Sequence, residues 1–411
     1  MSLDVNVSEP DEFNCVELHS AIENVAKIRN IQEFSYHVDY LNGNGYIANI
    51  FRVILIENGS DKRISVIVKT LINTARKELF SELHCREVKA YTEIIDKFLI
   101  IQNDINESRR LILPMCIYSS VEKGNELLIF EDLLVNGFTV NIATENKLSF
   151  RCVGKIFSEL AKFHGLSFVL KKNNTELYNE LSENFNDLVF QYSFLNKSQL
   201  KDYFLDSFEM SLNVIENIEI KNKLENIKPK LLRLLESYVK PKEINVFCHG
   251  DFWINNILFK QSDGETKLCF LDFQTLRYAN PVTDIIYFLY ICTDSEFRSM
   301  HIDELINIYY DSLKRFLNLF DIDVNSIYTE NKLRNDIEEH KVFGFLITLI
   351  EIKIIANHLD ELNSNRKSEM DLTNLPDMEK DSLVKARIND VLTESCENGV
   401  LEKLLNLAPT M

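Results

Sequence analysis

Two short apolar runs, each with polar residues set into it, constrain this chain more than any other feature. The first is FCHGDFWINNILF at 247–259 and the second is KLCFLDFQ at 267–274. Apolar residues flank the carboxylate in each, as expected for short strands packed into a core. Asp251 stands five residues before Asn256, and Asp272 sixteen residues after Asn256. A loop between two short strands presents Asp251 and Asn256 to one cleft, and Asp272 at a strand end joins them. This set suits phosphoryl transfer. One carboxylate orients and deprotonates a hydroxyl. A second carboxylate and an amide oxygen hold Mg2+, which takes hard oxygen ligands and keeps several waters.

The upstream sequence supplies the remaining parts of an ATP site. LNGNGY at 41–46 holds two of the 11 glycines. IANIFRVILI at 47–56 and ISVIVKTL at 64–71 are rich in β-branched residues, and ENGSDKR between them is a hairpin signal. Residues 75–97 carry Leu79, Leu83, Val88, Tyr91 and Ile95 at helical spacing amid charges. RRLILPMCIYSSV and NELLIFEDL predict two further strands. In this arrangement backbone amides at Gly43, Asn44 and Gly45 lie near phosphate oxygens, and Lys69 pairs with the phosphates. A helix carboxylate fixes Lys69. Glu87 is the best placed, with Glu82 or Glu78 taking over under a shifted helix register.

From about residue 147 the pattern is mostly helical. Helices are expected over 148–164, 175–192 and 224–238, and 359–383 is polar and loop-like. The expected fold is α+β and two-lobed. An N-terminal ATP-binding lobe over 1–133, with a helical extension, precedes a catalytic and acceptor-binding lobe over 134–411.

With 63 acidic against 45 basic residues the net charge is −18, which argues against nucleic acid or an anionic membrane as partner. The eight cysteines are scattered, without metal-site spacing, as expected for reduced thiols. VFGFLITLIEIKIIA at 342–356 is too short for a membrane span, and Glu351 and Lys353 interrupt it. The polar, acidic N-terminus resembles no secretory or transit signal. A soluble cytoplasmic protein is expected, with no protein partner implied.

CHGDFWINNILF and FLDFQTLRYANPVTDIIYFLY, supported by VIVK, REVKAY and LLIFEDL in order, resemble the protein-kinase-like superfamily. The resemblance is to its small-molecule branch with choline and aminoglycoside kinases, and within that to the ecdysteroid-kinase-like family. It implies ATP and Mg2+ as cofactors, Asp251 as catalytic base, and Asn256 and Asp272 as metal ligands. Lys69 is the phosphate-binding lysine held by Glu87. Glu131, Asp132 and Leu133 form a hinge whose backbone groups carry the adenine, and Asp284 braces the catalytic loop. LNGNGY has two glycines where a protein-kinase loop has three, and DFQ stands in place of DFG. No Ala-Pro-Glu-like anchor follows DFQ, which disfavours a protein kinase.

Simpler roles exist for each residue alone. Asp251 and Asn256 suit turns and caps, Asp272 a strand end, and Lys69 an exposed strand terminus. Cys248 and His249 are adjacent on a strand and point to opposite faces, so they do not pair as nucleophile and base. His249 is expected to organise the loop, His164 to be a satisfied core histidine, and Trp253 to pack beneath the loop. The expected acceptor is a small-molecule alcohol, an ecdysteroid or other sterol-like compound, matching the Phe- and Tyr-rich stretch 168–240. A choline- or aminoglycoside-type acceptor is the alternative. A non-catalytic kinase fold that binds nucleotide or sterol is a further one.

Overall fold

The computed structural model describes residues 15–41, 48–71, 77–140, 148–262, 264–355 and 382–407. In chain order, helix α1 (Cys15–Ile28) precedes strands β1 (Phe34–Tyr40), β2 (Ala48–Glu57) and β3 (Arg63–Leu71). Helices α2 (Lys77–Lys89) and α3 (Asp96–Ile101) follow, joined by a π-helical turn at Ala90–Ile95, and then strands β4 (Cys116–Ser120) and β5 (Leu127–Glu131). Six helices come next: α4 (Phe150–Asn173), α5 (Thr175–Asn184), α6 (Tyr192–Lys197), α7 (Leu200–Val214), α8 (Ile218–Glu225) and α9 (Leu231–Val239). Strands β6 (Val246–Cys248), β7 (Ile257–Ser262), β8 (Glu265–Phe270) and β9 (Arg277–Ala279) lead into α10 (Val282–Cys292), α11 (Ser295–Asn318) and α12 (Glu330–Ile350). Helices α13 (Ser382–Glu397) and α14 (Val400–Leu407) complete the described chain. The class is α+β, as expected.

The chain divides into two compact units. The first comprises 1–96, 112–140 and 258–274, and the second 97–111, 141–257 and 275–411. They interleave in sequence, whereas a single cut after Leu133 was the expectation. In the first unit five strands form an antiparallel sheet in the order β1-β2-β3-β5-β4. Strand alternation sorts its side chains. Val66 and Val68 of β3, with Phe51, Val53 and Leu55 of β2, join Leu18, Ile22 and Val25 of α1 in one apolar core. Lys69, next along β3, therefore belongs to the opposite face. The hairpin β7–β8 belongs to this unit through bridges from Phe259 to Thr139 and from Cys269 to Ile112. Leu133, Phe138, Leu258 and Cys269 form the small core beneath it.

The second unit is helical around the short β6–β9 pair. Helix α4 runs to Asn173, beyond the expected end at 164, because Phe163, Leu166, Val169 and Leu170 continue its buried face. The expected helix at 175–192 stops at Asn184. The one at 224–238 is broken between α8 and α9 by a 3-10 turn at Lys228–Lys230, where Pro229 cannot donate to a continuing helix. Strand β1 was not expected at all.

Candidate active site

In the first unit, Lys69 Nζ donates to Glu87 Oε2 at 2.7 Å and to Asp272 Oδ1 at 2.8 Å. The glutamate partner is Glu87, as the helix register predicted. Its side chain is 2 % exposed and that of Asp272 28 % exposed. Burial lowers the Lys69 pKa, but the Asp272 and Glu87 charges more than reverse this and hold it above its ordinary value. Burial raises the Glu87 carboxyl, opposed by Lys69. With two carboxylates in direct contact, Lys69 stays protonated. Asp272 lies two residues beyond β8 at φ +65°, a left-handed conformation that Asp tolerates better than most residues. Next to it, Phe273 meets the Tyr91 ring edge-on at 5.5 Å, and Tyr91 also packs on Phe130.

The expected hinge is partly committed to the fold. The Glu131 amide donates to the Met115 carbonyl, and the Leu133 carbonyl accepts from Phe138. The Asp132 carboxylate, fully buried, takes hydrogen bonds from Arg52 Nε (2.7 Å), Ser65 Oγ (2.6 Å) and the Leu134 amide. The adenine contacts expected at Glu131–Leu133 are thereby narrowed to the remaining backbone groups. Gly43, Asn44 and Gly45 lie outside the described residues.

In the second unit the loop between β6 and β7 is held by its own neighbours. Asp284, in the first turn of α10, accepts from the amides of His249 (2.7 Å) and Gly250 (3.0 Å). Its Oδ2 also meets His164 Nε2 at 3.1 Å, while His164 Nδ1 meets the Tyr309 hydroxyl at 2.8 Å. Burial pushes the Asp284 carboxyl up, but the His164 hydrogen bond and the His164, His249 and Arg277 charges bring it below its ordinary value. The bracing expected of Asp284, the organising role of His249 and the satisfied core position of His164 all match this geometry. Trp253, within the loop, is buried. Cys248 is fully buried and its thiol faces the carbonyls of Ala279 and Asn280. Burial, followed by the Asp284 charge, raises its pKa well above the usual thiol value, so it is no nucleophile.

Asp251 accepts on both carboxylate oxygens. Tyr287 donates to Oδ1 at 2.9 Å, and Asn256 Nδ2 donates to Oδ2 at 3.1 Å and to the Asp251 carbonyl at 2.9 Å. The Asn256 nitrogen is thus engaged by Asp251, which leaves its amide oxygen as the atom suited to a hard cation. Asp272 likewise commits Oδ1 to Lys69 and keeps Oδ2. Each donor set therefore fits a Mg2+ ligand within its own unit.

Two residues near Asp251 were not singled out from the sequence as functional, Tyr287 and Glu351. Tyr287 follows Asp284 by three positions on α10, so both lie on one helix face. That spacing was a usable signal. Glu351 caps α12 with Oε2 buried and, among the described residues, lacking a hydrogen-bond partner. Burial, followed by the Asp251 charge, pushes its carboxyl up to about 8.

No curated protein matches the sequence. The solved structure of a microcompartment-associated aminopropanol kinase aligns with 95 % of this chain and 98 % of its own, at 12 % identity and a TM-score of 0.41. The sequence profile of the ecdysteroid kinase-like family matches residues 42–322. That span contains Lys69, Glu87, Asp251, Asn256, Asp272 and Asp284, and the chain belongs to the ecdysteroid kinase-like family.

Proposed function

We propose that this chain is an ATP-dependent phosphotransferase that moves the γ-phosphoryl group to the hydroxyl of a small-molecule alcohol. The observation that carries this reading is Lys69 held between Glu87 and Asp272 at 2.7 and 2.8 Å. A lysine fixed by two carboxylates is preorganised for phosphate, because its position is set before the ligand arrives. In this reading Asp272 of the first unit and Asn256 of the second would each offer an oxygen to Mg2+, which would neutralise charge on the phosphates. Asp251 orients the acceptor hydroxyl and takes its proton.

An ecdysteroid or other sterol-like alcohol is the first acceptor to test, on the strength of the family. Glu351 favours a second reading. A carboxyl with one oxygen buried and unpartnered among the described residues, near enough to Asp251 to feel its charge, suits an acceptor with a cationic group, such as an amino alcohol. An ATP-consumption screen over sterols, amino alcohols and aminoglycosides, with mass detection of the phosphorylated product, decides between them. Mg2+–ATP is expected to raise the melting temperature, and ATP without Mg2+ to do so less. No shift at millimolar nucleotide would count against the phosphotransferase reading.

A further inference from the structure

We propose that Tyr287 is a positioning residue for Asp251, a role that rests on the phosphotransferase reading above. The Tyr287 hydroxyl donates to Asp251 Oδ1 at 2.9 Å, while Asn256 Nδ2 holds Oδ2 at 3.1 Å. The donors come from different elements, α10 and the loop before β7, and engage different oxygens. A carboxylate held at one oxygen still swings about its terminal torsion, which is soft. Held at both, it is fixed in position and plane.

The anchoring of Tyr287 suits this task. It sits one turn from Asp284, which holds the His249 and Gly250 amides. One face of α10 thus fixes the backbone of the loop through Asp284 and its functional side chain through Tyr287. Burial, followed by the Asp251 and Glu351 charges, keeps the Tyr287 hydroxyl well above its ordinary pKa. It therefore remains an O–H donor and does not become a competing anion.

The test is a double-mutant cycle of Tyr287→Phe and Asp251→Asn in the full chain. Turnover of Mg2+–ATP is measured with water and with the sterol, amino alcohol and aminoglycoside panel as acceptors. Tyr287→Phe deletes only the hydroxyl. It is expected to lower kcat by roughly 10–100-fold, since small misplacements of reacting groups cost about that much. KM for Mg2+–ATP should stay within about twofold. In the Asp251→Asn background the same change should cost less than about twofold, because the hydroxyl acts through that carboxylate. Comparing the two backgrounds cancels any general loss of stability shared by both. Wild-type kcat in Tyr287→Phe overturns the inference, as does an equal fold-loss in both backgrounds. If the unmodified protein neither binds nor turns over Mg2+–ATP, the phosphotransferase reading falls and this inference with it.

Discussion

Asp251 and Asp272 have different neighbours, and the difference separates their expected phenotypes. Tyr287 and Asn256, both uncharged, are among the hydrogen-bond partners of Asp251. Asp272 is ion-paired with Lys69. Asp251→Asn should leave Mg2+–ATP binding nearly intact and lower turnover by roughly 10²–10⁴-fold, the scale of general-base loss. Asp272→Ala should weaken nucleotide binding as well, measured by thermal shift and KM. Exchanged phenotypes would overturn the assignment of base and metal ligand. At this scale the polar members of the candidate site were legible, because each is a carboxylate, amide or lysine set in an apolar run where burial demands a partner. Tyr287 was overlooked despite its spacing from Asp284, because a tyrosine in DIIYFLY reads as one more apolar residue of a buried helix. Glu351 was visible only as an interruption of the apolar stretch at 342–356, since nothing local says that it lies near Asp251.

At the scale of elements, the loop from β6 to β7 is shaped by one glycine. Gly250 has φ +88°, and a Cβ there would lie 2.1 Å from the Thr275 carbonyl oxygen. That oxygen is backbone and cannot swing aside. Gly250→Ala combines left-handed strain with this overlap and is expected to destabilise the second unit by about 2–4 kcal/mol. The check is the chemical denaturation midpoint, with loss of turnover alongside; an unchanged midpoint would show that the loop relaxes freely. Strands β2 to β5 were legible because their β-branched runs are long and broken by turn residues. Strand β1, FSYHVDY, alternates as a strand should, with Tyr36 and Val38 in the core and His37 exposed. Its polar positions lowered its apolar content below what the run-based reading detects. The break between α8 and α9 was signalled by Pro229, but the leucines on either side kept the helical period and masked it.

At the scale of the whole molecule, the interleaving of the two units was beyond local pattern. Residues 258–274 join the first unit through Phe259–Thr139 and Ile112–Cys269 bridges. Such pairings link residues more than a hundred positions apart, which periodicity cannot report. Global stability should nonetheless carry the imprint of one residue. The Glu351 carboxyl is pushed from its ordinary 4.5 to about 8 by burial and then by the Asp251 charge. Among the described residues, Asp251 and the neutral Tyr287 hydroxyl share its electrostatic surroundings. A carboxyl raised in the folded state favours folding when protonated. Its contribution is full below the unfolded value and is lost as pH rises through about 8. At ~1.4 kcal/mol per pH unit the effect is a few kcal/mol at most. Oε2 is buried while the residue as a whole is half-buried, so solvent at its other edge reduces the figure. The wild-type melting temperature should therefore fall between about pH 5 and pH 9 relative to Glu351→Gln, which keeps the shape without the titration. The two curves should lie closest at the acid end and separate with rising pH. Parallel curves would mean that Glu351 ionises as readily in the folded chain as in the unfolded one.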